Sequence, residues 1–272
     1  MSDTLVVVQA RMGSSRLPGK VALPLCGAPL LVRMLERVRA ASTPFALCVA
    51  TSTLPADDEV VAMARQAGVA VFRGDPDDCL GRHLGAAHAF GARTVVKVPS
   101  DCPLIDPAAI DAVLAAFAGA SNGGGGAWDF ASNLHPGSWP DGNDVEVMTV
   151  EALEIADREA RRPLEREHTT PFFWEQPARF RLGNVRRRGP DLSRTRRFTI
   201  DYLEDYRFVR AVFDALYREG QAPFALDDIL ELLASRPEIA ALNQCWAGVN
   251  WYRHHLDELR TVGDADTRID VA

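Results

Sequence analysis

A junction near the start of the chain most constrains what it can fold into. Leu5-Val6-Val7-Val8 is an apolar run of strand length. It passes directly into Gln9-Ala10-Arg11-Met12-Gly13-Ser14-Ser15-Arg16-Leu17-Pro18-Gly19-Lys20, a loop with two arginines, a lysine, two glycines and two serines. Near Ala28 a helical pattern begins, with Pro29 suited to its first position and Leu30, Leu31, Met34, Leu35 and Val38 on one face. A strand, a cationic Gly/Ser loop and a helix surround a polyphosphate with backbone N–H groups and fixed positive charge. The P-loop is excluded: five residues separate Gly13 from Gly19, and Val21 stands where a magnesium-binding hydroxyl belongs.

Further along, residues 45–50, 69–72 and 94–98 read as strands, and 57–66, 79–90 and 107–118 as helices. Gly68 and Gly91 stand where glycine ends a helix, and Asp106 caps the helix that Pro107 opens. This alternation predicts a mainly parallel sheet covered on both faces. Residues 121–126 read as a flexible linker or loop, and beyond them the alternation breaks. Strands are expected at 129–132, 144–149, 179–185 and 197–200, and helices at 150–160, 166–174 and 203–218. Shorter helices are expected at 226–234, 237–244 and 251–259, with the last dozen residues loose.

A formal charge of −7 argues against a nucleic-acid binder that relies on a basic surface. A basic loop on an acidic chain suits a small anionic ligand held at one place. Five scattered cysteines without a C-x-x-C pair form neither a zinc site nor a disulfide framework. No stretch is long enough to span a bilayer, and no signal peptide is evident, so a cytoplasmic protein is expected.

The string Q-A-R-M-G-S-S-R-L-P-G-K resembles the signature loop of the cytidylyltransferases that make CMP-activated sugars. These include the CMP-3-deoxy-octulosonate and CMP-acylneuraminate synthetases and a branch named for a spore-coat polysaccharide protein. The resemblance implies an α/β nucleotidyltransferase fold, Rossmann-like and of the glycosyltransferase-A type, with a mixed, mainly parallel sheet. It implies that Ala10, Arg11, Gly13, Ser14, Ser15, Arg16 and Lys20 bind CTP. Guanidiniums supply bidentate phosphate contacts and the lysine a point charge.

Ser100-Asp101-Cys102-Pro103-Leu104-Ile105-Asp106 is similar to a family element whose first aspartate binds Mg2+. A carboxylate just past a parallel strand points into the crevice where ligands sit in open α/β sheets. Arg197-Phe198-Thr199-Ile200-Asp201 resembles R-L-T-V-D, whose aspartate is the second metal carboxylate. Taken alone, Asp201 equally suits a helix cap. Arg73 and Arg82 fall in a segment resembling F-R-G-x-x-x-D-V-L-x-R-Y, which implies that they lie beside the nucleotide. A turn and a salt-bridged helix start account for them as well.

Asp144 and Glu146, on one strand face, match G-L-D-V-E-V and would hold sugar hydroxyls, supplement the metal, or face solvent. Arg166 and His168, in R-E-H-T-T-P, would contact an acidic acceptor or a dimer partner. The resemblance thus implies a domain over residues 1–245, with an inserted β arm at 129–185 for dimerisation and acceptor binding. Residues 246–272 would form a C-terminal helix and tail. The implied reaction is CTP plus the hydroxyl of an acidic sugar giving a CMP-sugar and pyrophosphate. Lys20, Arg16 and Asp101 would act on the reacting phosphates, with Asp101 and Asp201 holding Mg2+. The alternative is a sugar-nucleotide-dependent glycosyltransferase.

Overall fold

The apolar run at the start forms the centre of a sheet. The computed structural model describes residues 3–122 and 127–269. In chain order its first part is β1 (Thr4–Gln9), β2 (Pro24–Leu25), β3 (Ala28–Pro29), α1 (Leu30–Arg39), β4 (Ala46–Ser52), α2 (Asp58–Gln66), β5 (Ala70–Gly74), α3 (Cys79–Phe90), β6 (Thr94–Pro99) and α4 (Pro107–Asn122). There follow β7 (Phe130–Ser132), β8 (Glu146–Thr149), α5 (Val150–Glu159), α6 (Pro163–His168), α7 (Pro171–Trp174) and β9 (Leu182–Asn184). The chain continues through α8 (Leu203–Leu216), α9 (Leu226–Ser235) and α10 (Pro237–Ala240).

Seven strands make one sheet in the order β5-β4-β1-β6-β8-β7-β9. The pairings from β5 across to β6 are all parallel, and β8 alone runs against its neighbours β6 and β7. This is the mixed, mainly parallel α/β architecture expected. Leu5 to Val8 are fully buried because both faces of β1 are covered. Val6 and Val8 pack with Leu31, Leu35 and Ile110 from α1 and α4, while Leu5 and Val7 pack with Leu80 of α3 and Leu153 of α5. A third apolar cluster joins Phe198 and Ile200 to Phe208, Val212 and Ile229 of α8 and α9.

Some boundaries differ from expectation. Residues 24–29 form the β2–β3 hairpin, turned through Cys26 and Gly27 at φ 44° and 78°, so α1 starts at Leu30. Residues 166–174 break at Thr169, φ 69°, into α6 and α7. Residues 197–200 make a single bridge, Asp141 to Arg197, and no strand. Residues 129–185, expected as an inserted arm, supply β7, β8 and β9 of the main sheet. α4 runs to Asn122, and the remainder of the expected linker, 123–126, lies outside the described residues.

At the C-terminus the expected 251–259 helix is one 3-10 turn, Trp251–His254. The tail expected to be loose packs back as far as Arg268, whose N–H donates to Gly248 O at 2.8 Å. Residues 270–272 lie outside the described residues. All five cysteines are unbridged. Among the described residues no helix is long and apolar enough to cross a membrane.

Candidate active site

Parallel pairing places the ends of β1 and β6 side by side, with Ser100 N donating to Gln9 O at 3.2 Å. The cationic loop leaving β1 folds back on itself through Gly19 N to Met12 O, 3.0 Å, and is fixed to α2's start by Met12 N to Asp57 Oδ1, 2.7 Å. Gly19, at φ 68°, turns the chain into a 3-10 turn that begins with Lys20. The Lys20 ammonium then stands between two carboxylates: 3.2 Å from Asp101 Oδ2, past β6, and 3.2 Å from Asp201 Oδ1, ahead of α8. It also donates to Ile200 O at 2.7 Å. Backbone contacts hold the acids together, since Ile200 N and Thr199 Oγ1 both donate to Asp101 O, at 2.9 and 3.1 Å.

Arg16 Nη2 adds a contact to Asp201 Oδ1 at 2.7 Å. Burial disfavours the Lys20 charge, but the two carboxylates outweigh it and hold its pKa above the ordinary value. Burial pushes Asp201 up, and Lys20, Arg16 and Arg197 together pull it down to about 2.

Arg197 is the buried hub beneath. Its guanidinium reaches Asp201 Oδ2 and Asp141 Oδ2 at 3.0 Å each, Asp205 Oδ1 at 3.0 Å, and Val249 O at 2.7 Å. Asp141 opens a turn that only glycine can follow: at Gly142, φ 99°, a Cβ would fall 2.4 Å from Thr199 N. Burial raises Asp141 to about 7 despite Arg197, and burial with the nearby Asp141 and Asp101 raises Asp144 well above the carboxylate range. Glu146 is buried and paired with Lys97.

These groups open onto a cavity of about 150 Å³, whose other side carries His135, His168, Trp174, Trp251 and Tyr252. Of the loop cations, Arg16 lines the cavity, and Lys20 stands behind it on the two carboxylates. For a divalent cation the fitting residues are Asp101 and Asp201, whose oxygens already flank a positive charge. Among the described residues no group of three or more His, Cys, Asp or Glu is placed to hold a metal. Two protein carboxylates, with waters and phosphates completing the shell, is the usual way Mg2+ is bound at phosphate-transfer sites.

Residues 5–234 match the family model described as cytidylyltransferase. The chain belongs to the cytidylyltransferase family. It is therefore a nucleotidyltransferase. The cytidylyltransferase is 30% identical over 250 residues to the spore coat polysaccharide biosynthesis protein SpsF of Bacillus subtilis, covering 88% of this chain and 98% of that one. A solved cytidylyltransferase from Leptospira borgpetersenii has 32% identity and a TM-score of 0.81, covering 88% of this chain and 97% of that one. A CMP:2-keto-3-deoxy-manno-octonic acid synthetase solved with CTP shares the fold, with 18% identity and a TM-score of 0.58, over 78% of this chain and 99% of that one.

In this cytidylyltransferase Arg16, Lys20, Asp101 and Asp201 converge, and Asp144, Glu146 and His168 join Asp101 and Asp201 at the cavity wall. The other proposed ligands are elsewhere. Arg11 is half-exposed and pairs with Glu167 at 3.5 Å. Gly13 and Ser15 are exposed; Ser14 Oγ accepts from Leu17 N at 3.4 Å, and Ala10 is buried with its N–H on Ala50 O at 3.0 Å. Arg73 is held by Asp58 and by the carbonyls of Ser52 and Leu54. Arg82 is buried on the carbonyls of Asp75 and Pro76, and Arg166 is paired with Asp78 and Asp157.

Arg73, Arg82 and Arg166 are thus not among the cavity's lining residues. Asp141, Lys97, the hub role of Arg197 and every member of the aromatic wall except His168 went unread in the sequence. Trp139-Pro140-Asp141-Gly142 was the available signal for Asp141, since Pro-Asp-Gly marks a turn in which glycine supplies the positive φ.

Proposed function

We propose that this cytidylyltransferase transfers CMP from CTP to a hydroxyl of a sugar and releases pyrophosphate. The observation that carries the reading is Lys20 held between Asp101 and Asp201 beside Arg16, with Arg16 and both carboxylates lining a polar cavity. Arg16 and Lys20 would exchange these carboxylates for the β- and γ-phosphates of CTP and stabilise charge on the departing pyrophosphate. Asp101 and Asp201 would hold Mg2+, which when bound neutralises phosphate charge and favours ionisation of the acceptor hydroxyl.

The acceptor oxygen forms a bond to the α-phosphorus as the bond from that phosphorus to the pyrophosphate oxygen breaks. The hydroxyl proton leaves to solvent. The protein's part is positioning and electrostatics, with no covalent enzyme intermediate. The synthetase of similar fold that was solved with CTP is named for an octonic acid, which makes a sugar acid the first acceptor to try. Arg197 and Thr199 would fix the floor on which it sits.

The test is pyrophosphate release with CTP, Mg2+ and a panel of sugar acids and neutral sugars. Release that requires all three components supports the reading. Turnover of a UDP- or CMP-sugar without pyrophosphate would establish the glycosyltransferase alternative instead.

A further inference from the structure

Val249, Asn250, Trp251 and Tyr252 lie beyond the stretch that matches the family model, yet all four line the cavity. They form a pinned wall. Val249 O accepts from the same guanidinium that holds Asp141 and Asp201. Asn250 N donates to Thr267 Oγ1 at 2.9 Å. Trp251 lies flat on His168, with ring centroids 3.8 Å and planes 13° apart, and burial keeps that imidazole neutral, with a pKa of about 3. Tyr252 packs edge-on against Trp174, and its hydroxyl is 3.4 Å from His135 Nε2.

Two residues that line this cavity have hydrogen-bonding capacity left over. Trp174 is 5% exposed, and its indole N–H is buried with no hydrogen-bond partner among the described residues. Such a donor is costly to leave unmade, and a ligand oxygen would satisfy it. Asp144 accepts one N–H, from Gly142 at 3.1 Å, and has no ion-pair partner among the described residues, unlike Asp141 with Arg197 and Glu146 with Lys97. The site therefore offers a donor, an acceptor and an aromatic surface. Hydroxyl groups both donate and accept, and the C–H face of a sugar ring packs on aromatic side chains.

We propose that residues 249–252 form the acceptor-reading wall of the enzyme, and that the acceptor is a pyranose-type ring packed against Trp251. One of its hydroxyls donates to Asp144, and another of its oxygens accepts from Trp174 Nε1. The proposal rests on the cytidylyl-transfer reading of the cavity floor.

The probes are 3-deoxy-manno-octulosonate, N-acetylneuraminate and D-glucose at millimolar concentration, added to the full-length protein with and without CTP. Sugar binding and CTP binding are each followed by calorimetry, and the response is the sugar affinity. The wild type is expected to respond to at least one sugar. Trp174→Phe, which removes the N–H, and Trp251→Ala should each weaken that response about tenfold with CTP affinity unchanged. Trp251→Phe, which keeps an aromatic face, should recover most of the loss; Trp251→Leu, which keeps bulk without an aromatic face, replaces Trp251→Ala if that variant does not fold. No response from any sugar, or sugar affinities unchanged in both variants, would overturn the proposal. Weakened CTP binding in the variants would also overturn it, by assigning the wall to the nucleotide. A wild type that binds sugar but not CTP would instead contradict the cytidylyl-transfer reading.

Discussion

Lys20 Nζ lies 3.2 Å from Asp201 Oδ1, although 181 positions separate the two residues in the chain. The contact joins the loop after the first strand to the segment ahead of α8, and Asp101 completes it from the end of β6. A cation resting on two carboxylates is a stored arrangement. In the proposed reaction the ammonium would turn to the triphosphate and the two carboxylates to its metal.

Lys20→Met keeps the aliphatic stem and removes the charge. Pyrophosphate release should fall by about 10²–10³-fold, the usual loss for one preorganised electrostatic contact, with an unchanged circular dichroism spectrum. Activity within a few-fold of wild type would remove Lys20 from the reacting phosphates.

Arg197→Ala should be primarily a stability lesion. The side chain is 2% exposed and is the shared partner of Asp141, Asp201 and the fully buried Asp205. Stranding these carboxylates should cost about 3–5 kcal/mol in urea unfolding. Arg197→Lys should recover only part, because an ammonium cannot reproduce the planar fork. A loss under about 1 kcal/mol, the range of an exposed pair, would mean that the hub is not what holds the acids.

Gly142→Ala should lower stability by about 1–3 kcal/mol, because the added Cβ meets backbone atoms and φ is positive. Gly119→Ala is the control: nothing lies within 4 Å of its Cβ, and it sits in α4. It should stabilise by about 0.5–1 kcal/mol. Differential scanning calorimetry reads both, and opposite shifts in Tm are expected.

The fold was largely legible in the sequence because its signals are local. The helix Cys79–Phe90 was expected to the residue, since Gly91 closes it, and the structure adds Asp78 as its N-cap. Arg197 to Ile200 deceived for a physical reason. Phe198 and Ile200 alternate as in a strand, but Arg197 and Thr199 are buried too, and the backbone of the segment is bound to Asp141 and Asp101. Arg16, Lys20 and the two aspartates carried motif signals, so their meeting was readable, whereas Arg11 carried the same signal and pairs with Glu167 instead. The aromatic wall was not, because His135, Trp174 and Trp251 have no common spacing and meet only through tertiary packing.

His168 gives the fold a pH dependence with a definite sign. Burial lowers its pKa to about 3, against an ordinary value near 6.5. Between these values the native state binds fewer protons than the unfolded chain. The contribution is therefore fully present above about pH 6.5 and is lost as pH falls toward 3. Asp141, raised to about 7, acts in the opposite direction, so the readout is the difference between wild type and His168→Gln. From about pH 7 to about pH 4.5, urea unfolding should show wild type losing stability relative to the variant. Parallel curves would contradict a buried neutral imidazole.

Passage of a cytidylyl group from CTP to a sugar in this cavity is tested most directly with CTP labelled at the α-phosphorus, in the presence of Mg2+ and an acceptor that supports turnover. The label should move to the sugar, with one pyrophosphate released per labelled product, and Asp101→Ala and Asp201→Ala should lose both signals together. Label that stays on the nucleotide, while a sugar is transferred from a sugar nucleotide, would contradict cytidylyl transfer.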